Sequence, residues 1–268
     1  MLLLLPPSEG KTPAPDDAAP VDLAALSGAD TLTSQRQAVL AALAEASARP
    51  DAHALLGVGM SLAGEVQRNT RLHAEPAAPA AHVYTGVLYA AAGLASVPDT
   101  GAVRVVSGLW GAVAPGDRIP AYRLSMGVDL PGVGKLAAAW RVPLEAALGA
   151  RAPGDVVVDC RSATYLAAWK PLPGTSEWVT VRVVREVAGR RAVVSHNAKH
   201  TRGVLAGHLL RRAAAPTSAA ELLDAAGELV GTVIGTEVGT GLDYRLLEVS
   251  LEKARTRSAP ATLELVIG

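Results

Sequence analysis

The chain has 268 residues, half of them hydrophobic, and its 25 Lys and Arg balance 25 Asp and Glu to a formal net charge of zero. This length and apolar content predict a globular protein with a sizeable core. The neutral balance counts against a surface that is basic all over. The single cysteine, Cys160, excludes an internal disulfide and a multi-cysteine zinc site and fits a reducing cytosol.

Apolar periodicity and Gly/Pro punctuation predict an alternation of strands and helices. The predicted strands are residues 2–5, 103–106, 156–159, 178–187, 190–195, 244–249 and 262–266. The predicted helices are residues 34–48, 61–71, 134–148, 162–169, 199–212 and 217–227. Residues 178–195 form a predicted β-hairpin. Together these elements predict an α+β (mixed α/β) fold, in which one compact domain spans residues 1–268 and helices flank a mixed central sheet.

The opening Met-Leu-Leu-Leu-Leu is not the start of a signal peptide, because it lacks a basic residue and Pro6-Pro7 ends its short apolar run. No run reaches the length of about 18 apolar residues that a membrane span requires. We therefore expect a cytoplasmic protein that is not held by a membrane.

Charge is unevenly distributed, since residues 16–45 are mainly acidic and residues 182–212 are mainly basic. The basic residues of the latter segment are Arg182, Arg185, Arg190, Arg191, Lys199, Arg202, Arg211 and Arg212, with only Glu186 against them. A neutral chain can thus present one positive face.

The loop at residues 117–126 follows a strand that ends in glycines, and it carries Arg118, Tyr122 and Arg123. Two arginines and a tyrosine can bind phosphate and stack on a base. Alternatively, Asp117 pairs with Arg118 or Arg123 and fixes the loop. Both interpretations remain open from the sequence.

Residues 130–135 read Leu-Pro-Gly-Val-Gly-Lys. A Pro-Gly-x-Gly-Lys turn between two helices is typical of a helix-hairpin-helix, whose turn amides bind a DNA phosphate without reading bases. Gly132 and Gly134 would form the turn, and Lys135 would add a positive charge. The alternative is an ordinary glycine-rich helix start.

Residues 195–203 lead from a strand into a helix and include His196, Lys199, His200 and Arg202. A helix start with two cations favours an anion. The two histidines are four residues apart, a spacing that can bind a metal, but no third ligand lies nearby in the sequence. Phosphate contact or a capped helix start is the favoured interpretation.

Residues 6–12 contain Gly10-Lys11-Thr12, but a phosphate loop needs a glycine where Leu5 stands, so ATP binding by this route is not expected. Ser8, Glu9 and Lys11 nevertheless follow a buried strand, where sites in open sheets gather. Lys11 is either a phosphate ligand or, if desolvated, a nucleophile. Cys160 is interpreted as a small buried residue.

Five segments in order give the chain a family resemblance. They are residues 5–12, Tyr84-Thr85-Gly86, residues 103–111, residues 117–127 and residues 195–199. In these segments, and in Gly134, Lys135 and Trp140, the chain resembles the YaaA family of peroxide stress proteins. The resemblance implies a cytosolic protein linked to peroxide stress and to lower free intracellular iron. It also implies a distinctive α/β fold with a positively charged cleft, a helix-hairpin-helix element and DNA binding.

Two functions follow as hypotheses. In the first, the protein grips the backbone of double-stranded or distorted DNA in a basic cleft and helps to limit oxidative DNA damage and intracellular iron. The expected nucleic-acid-binding residues are Ser8, Lys11, Tyr84, Arg118, Tyr122, Arg123, Gly132, Gly134, Lys135, Lys199 and Arg202, with Tyr122 stacking on a base.

In the second hypothesis, the protein is an enzyme that acts on a nucleotide or a damaged base in the same cleft. Lys11 or Lys199 would be the nucleophile, and Asp117 or Glu9 would move the proton. The sequence has no dense cluster of His, Asp and Glu, so we expect no metal site and no cofactor, and any effect on iron would be indirect.

Overall fold

Residues 1–187, 189–193, 196–236 and 241–268 are described by a computed structural model. The strands are β1 (Leu2–Leu5), β2 (Ala78–Pro79), β3 (Val103–Ser107), β4 (Gly111–Val113), β5 (Arg118–Ile119), β6 (Asp129–Leu130), β7 (Gly134–Lys135), β8 (Val156–Asp159), β9 (Glu177–Val187), β10 (Arg190–Val193), β11 (Val233–Thr236), β12 (Asp243–Glu252) and β13 (Ala261–Ile267). The helices are α1 (Ala29–Ser47), α2 (Ala52–Leu56), α3 (Ala63–Arg68), α4 (Ala80–Val83), α5 (Val87–Ala92), α6 (Leu136–Ala139), α7 (Arg141–Leu148), α8 (Ala163–Leu166), α9 (His196–Arg211) and α10 (Ala219–Gly227).

A mixed sheet organises the described part of the chain. Eight of its nine strands lie in the order β11-β12-β13-β9-β8-β1-β3-β4. The ninth, β10, pairs with the end of β9 on the same edge that β8 uses. The five strands from β13 to β3 are mutually parallel, whereas β4, β10, β11 and β12 run antiparallel to a neighbour. The predicted mixed α/β fold in one compact domain is confirmed.

The short strand β1 lies inside the parallel part of this sheet. Its four leucines are at most 2% exposed, and β3 and β8 flank it in parallel. A parallel strand covered on both faces is apolar at every position, which explains why the sequence here shows a continuous apolar run rather than alternation. In the sheet order, the next strand after β1 is β3, its neighbour on one side. The next strand after β8, the neighbour of β1 on the other side, is β9, which lies further in the opposite direction.

Most predicted elements are found, with two instructive differences. The helix predicted over residues 134–148, with a break or cap expected near Pro143, begins only at Leu136, because Gly134 and Lys135 form β7. It is divided into α6 and α7 at Trp140, since Pro143 has no N–H to donate back to the preceding turn. The helix predicted over residues 61–71 is an α-helix between two 3₁₀ turns. Of the predicted strand 190–195, Val194 and Ser195 lie outside the described residues.

Helices α5 and α9 pack unusually close together. A Cβ added at Gly203 of α9 would collide with the carbonyl oxygen of Leu88, and one at Gly207 would lie 2.6 Å from that of Ala92. Backbone contact at these two glycines fixes where α9 begins relative to α5. The position of Lys199 and Arg202, near the start of α9, depends on this contact.

We expect Gly203→Ala to lower the free energy of unfolding by about 1–3 kcal/mol, because the added methyl group forces two helix backbones apart. Gly64→Ala is the matched control, since Gly64 also lies in a helix but has no atom within 4 Å of an added Cβ. That control should gain up to about 1 kcal/mol from helix propensity. Urea unfolding measures both, and a Gly203→Ala protein as stable as the wild type would contradict the packing account.

Candidate anion site at the strand ends

A cavity of about 290 Å³ lies at the carboxyl ends of β1 and β8. Its lining comprises residues 6–10 after β1, residues 86–89 at the start of α5, Cys160, Ser162 and Tyr165 after β8, and Lys199 and Arg202 on α9. The chain connections from β1 and from β8 diverge at this point. Ligands of open parallel sheets bind in the crevice that such a reversal of direction leaves.

Lys11 lies beside this cavity, under the loop that follows β1. Its Nζ donates to the carbonyl oxygen of Ser8 at 2.7 Å and lies 4.3 Å from the centre of the Tyr122 ring. An isolated antiparallel bridge to Tyr84 holds the lysine backbone in place. Burial lowers the pKa of Lys11 from 10.5 to about 8, although the Glu9 carboxylate opposes this shift.

Below Lys11, three hydroxyl groups form a buried chain. The Tyr84 and Tyr122 hydroxyls are 3.0 Å apart, and the Tyr122 hydroxyl lies 2.6 Å from Oγ of Ser107. That Oγ accepts the backbone N–H groups of Leu109 and Trp110, so its own proton is directed to the Tyr122 hydroxyl. Burial raises the pKa of both tyrosines, which keeps them neutral.

The position of Tyr122 differs from its expected role. The sequence predicted that this ring would stack on a base, but the residue is 2% exposed and its ring faces Lys11. Tyr84 is 1% exposed. Both rings therefore support the lysine from within the core.

Arg123 is held by carboxylates. Its guanidinium lies 3.1 Å from a carboxylate oxygen of Glu9 and 3.7 Å from one of Glu65. Both backbone polar groups of Arg123 bond to the Asn69 side chain, with the N–H at 2.9 Å and the carbonyl oxygen at 2.8 Å. Arg123 thus ties the 117–126 loop to the loop after β1, and two carboxylates share its charge.

Asp117 fixes the loop in a way that the sequence did not indicate. Its carboxylate accepts hydrogen bonds from the backbone N–H and hydroxyl of Ser27 and from the N–H of Ala114, and the ion pair with Arg118 or Arg123, one of the two interpretations left open by the sequence, is not formed. The Arg118 side chain donates instead to the carbonyl oxygen of Ala77. Neither residue lines the cavity.

The expected helix-hairpin-helix is not confirmed. The glycine-rich turn joins two short antiparallel strands, β6 and β7, and the N–H of Val133 donates to the Leu130 carbonyl oxygen at 2.9 Å. Pro131 supplies the second turn position and Gly132, with φ of 84°, the third, as a type II turn requires. Gly132, Gly134 and the exposed Lys135 lie outside the cavity lining.

On α9, Lys199 is exposed at the cavity and Arg202 lies one turn further along. Arg202 donates from Nε and one terminal nitrogen to the carbonyl oxygen of Val181, at 3.0 and 2.7 Å. His200 faces Tyr244, whose hydroxyl is 3.2 Å from its Nδ1. Within the described ranges, no three His, Cys, Asp or Glu side chains are grouped so as to hold a metal ion.

After β8, Asp159 and Arg161 form a fully buried ion pair at 2.7 Å that sequence reasoning missed. Arg161 also donates to the carbonyl oxygens of Tyr165 and Trp169, which fixes the segment that brings Ser162 and Tyr165 to the cavity. The sequence indicates this ion pair only by placing an aspartate and an arginine two residues apart at the end of a predicted strand. Burial raises the pKa of Cys160 to about 12, so this thiol is inert.

Comparison with known proteins identifies the family. The model of a family described as peroxide stress protein YaaA matches residues 1–228. The chain belongs to this family. It is 47% identical over 239 residues to a UPF0246 protein of Streptomyces coelicolor, covering 85% of this chain and 90% of that protein. It is also 39% identical over 233 residues to a UPF0246 protein of Corynebacterium efficiens, covering 84% of this chain and 91% of that one.

Membership confirms the resemblance seen in the sequence and supports a role in peroxide stress. No helix within the described residues is both long and apolar enough to cross a membrane.

The buried position of Lys11 makes stability depend on pH in the alkaline range. Because its pKa is about 8 in the folded protein against 10.5 ordinarily, the unfolded chain binds more protons between these values. Stability should therefore rise from pH 8 to pH 10.5 and lose this contribution as pH falls through 8. Urea unfolding of Lys11→Met should show a smaller rise than the wild type.

Lys135→Met, which replaces an exposed lysine, is the matched control and should keep the wild-type rise. An identical pH profile for wild type and Lys11→Met would show that Lys11 is not desolvated.

Proposed function

We propose that this protein binds DNA during peroxide stress by gripping a backbone phosphate at the cavity beyond β1 and β8. The observation that carries the proposal is the placement of Lys199 and Arg202 at the sheet's switch point, where neither forms an ion pair with a carboxylate of the described residues. Anions are the ligands that such a site favours. Nucleic acid is the abundant polyanion that fits the family's association with oxidative damage.

The local charge balance supports this proposal. Lys199 and Arg202 line the cavity and Lys11 lies in the loop after β1, while Glu9, the carboxylate among the described lining residues, is already paired with Arg123. The cavity region therefore retains positive charge although the whole chain is neutral. In a partly enclosed site, such charge acts more strongly on a phosphate than it does on an open surface.

The proposed DNA contact uses fewer cations than the basic groove expected from the sequence. Arg118 and Lys135 lie outside the cavity, and two carboxylates bind Arg123. Few phosphates are then contacted, so affinity should fall with salt but less steeply than for a protein with an extended basic face.

Fluorescence anisotropy with a short duplex at several salt concentrations tests the proposal. Binding by the wild type should weaken as salt rises, and Lys199→Ala should reduce the slope of log affinity against log salt by about 0.9, the value of one lost phosphate contact. Lys135→Ala, a matched exposed lysine outside the cavity, should leave the slope unchanged. Affinity that does not change between low and moderate salt would exclude phosphate binding.

One observation favours a second candidate function, an enzyme acting on a damaged base. The pKa of Lys11, near 8, leaves part of its amine unprotonated at neutral pH, and this form can add to an aldehyde carbon. Loss of water then gives an imine, which borohydride reduces to a stable secondary amine. Glu9, two residues away, is the carboxylate whose charge acts most strongly on Lys11, and in this mechanism it would accept the proton.

Borohydride trapping on a duplex that contains an abasic site tests this second function. The wild type should give a covalent protein–DNA product, and Lys11→Arg, which keeps the charge but removes the nucleophile, should give none. Lys199→Arg should still be trapped if Lys11 is the nucleophile. The absence of product from the wild type across abasic and oxidised substrates would leave DNA binding alone.

A further inference from the structure

We propose that the cavity holds the terminal phosphate monoester of a nucleotide, so that the protein prefers phosphorylated strand ends in gapped DNA to continuous strands. This inference rests on the proposed DNA binding and names the chemical class that the site selects. It is carried by three residues with donor groups that line the same cavity: Ser8, Lys199 and Arg202.

The Ser8 hydroxyl is an unused donor inside the site. Ser8 is 7% exposed and lines the cavity, yet its Oγ has no hydrogen-bond partner among the described residues. A hydroxyl buried without a partner costs stability, and such a cost is often linked to a ligand that supplies the missing bond.

Gly86 makes this position of the hydroxyl possible. A Cβ at residue 86 would collide with Oγ of Ser8, so any other residue would displace the hydroxyl. Gly86 lines the same cavity and begins the segment that becomes α5. The Tyr84-Thr85-Gly86 motif therefore has a local physical role, because its glycine leaves room for the serine.

Lys199 and Arg202 supply the charge. They are three residues apart near the start of the 16-residue helix α9, so both project from one helix face, and the helix dipole adds to their attraction for an anion there. Two of the Arg202 nitrogens are bound to the Val181 carbonyl oxygen, which fixes the guanidinium without neutralising it. Lys199 is exposed and free to approach a ligand.

The number and charge of these donors match a monoester better than a diester. A phosphate monoester carries a charge of about −1.5 to −2 at neutral pH and three strong acceptor oxygens. A phosphodiester within a strand carries one charge, and two of its four oxygens are bonded to sugars. The phosphate of a strand end or a mononucleotide can therefore bind all three groups, the two cations and the hydroxyl, better than a phosphodiester within a strand can.

The remaining walls suit the rest of a nucleotide. Pro6, Pro7, Leu88, Tyr89 and Tyr165 present apolar and aromatic surface to the cavity. Tyr89 is fixed by donating its hydroxyl proton to the Pro6 carbonyl oxygen at 2.7 Å. At about 290 Å³, the cavity is near the lower end of small-molecule sites, which begin at roughly 300 Å³, and so accommodates one nucleotide-sized unit.

Fluorescence anisotropy with four DNAs of one sequence tests the inference: an intact duplex and gapped duplexes with hydroxyl ends, a 5′-phosphate or a 3′-phosphate. The wild type should bind one phosphorylated gap about tenfold more tightly than the hydroxyl gap, as expected for one added charged hydrogen bond. Ser8→Ala and Lys199→Gln should each lose this preference, and Lys135→Gln should keep it.

Ser8→Ala also separates a binding role from a structural one. Removing an unpartnered buried hydroxyl should leave the folded protein as stable as the wild type or more stable, while the phosphate preference disappears. If thermal unfolding shows that Ser8→Ala is destabilised, Lys199→Gln alone decides the outcome, since the Lys199 side chain is exposed.

The outcomes distinguish this inference from the proposed function. Equal, salt-sensitive binding of all four DNAs would overturn the inference and leave DNA binding intact. A preference that survives in both cavity variants would place the phosphate elsewhere and would also overturn it. If no DNA binds, calorimetry with a nucleoside 5′-monophosphate and with its nucleoside tests the cavity assignment directly. Selective binding of the monophosphate would support the assignment. Binding of neither compound would refute both proposals.

Discussion

The position of β1 between β3 and β8, inside the parallel part of the sheet, is the constraint on which the rest of the structure depends. Four buried leucines pair in parallel with β3 on one side and β8 on the other. Because the chain leaves β1 and β8 in opposite directions, a crevice lies between their carboxyl ends. The loops after these strands, together with α5 and α9, become the walls of the cavity.

Several arginines of this neutral protein are paired with carboxylates away from the cavity. Arg182 pairs with Glu252 and Glu264, Arg191 with Glu186 and Glu248, and Arg212 with Glu228. Arg36, buried in the core, donates to three carbonyl oxygens, and burial lowers its pKa while the Asp117 carboxylate opposes that effect. Three cations of the positive segment seen in the sequence, Arg182, Arg191 and Arg212, are thus paired with carboxylates, whereas no such pair is formed by Lys199 and Arg202 at the cavity within the described residues.

The sequence allowed the fold class and the strand-end location to be predicted, because continuous apolar runs such as residues 2–5 and 156–159 are local signals. It did not reveal which cations would be neutralised, since Glu9 and Glu65 reach Arg123 only after folding. Likewise, Pro131-Gly132 fits both a helical hairpin and a type II turn, and the flanking strands decide between them. The importance of Gly86 depends on Ser8, 78 residues earlier, a relation that no spacing rule contains.

A crystal structure of the protein with a bound nucleoside 5′-monophosphate tests the central claim most directly, since it locates the anion. The account predicts phosphate oxygens within hydrogen-bond distance of Oγ of Ser8 and Nζ of Lys199, with the base against the apolar walls of the cavity. A nucleotide bound instead at the turn beside Lys135, with the strand-end cavity empty, would contradict it.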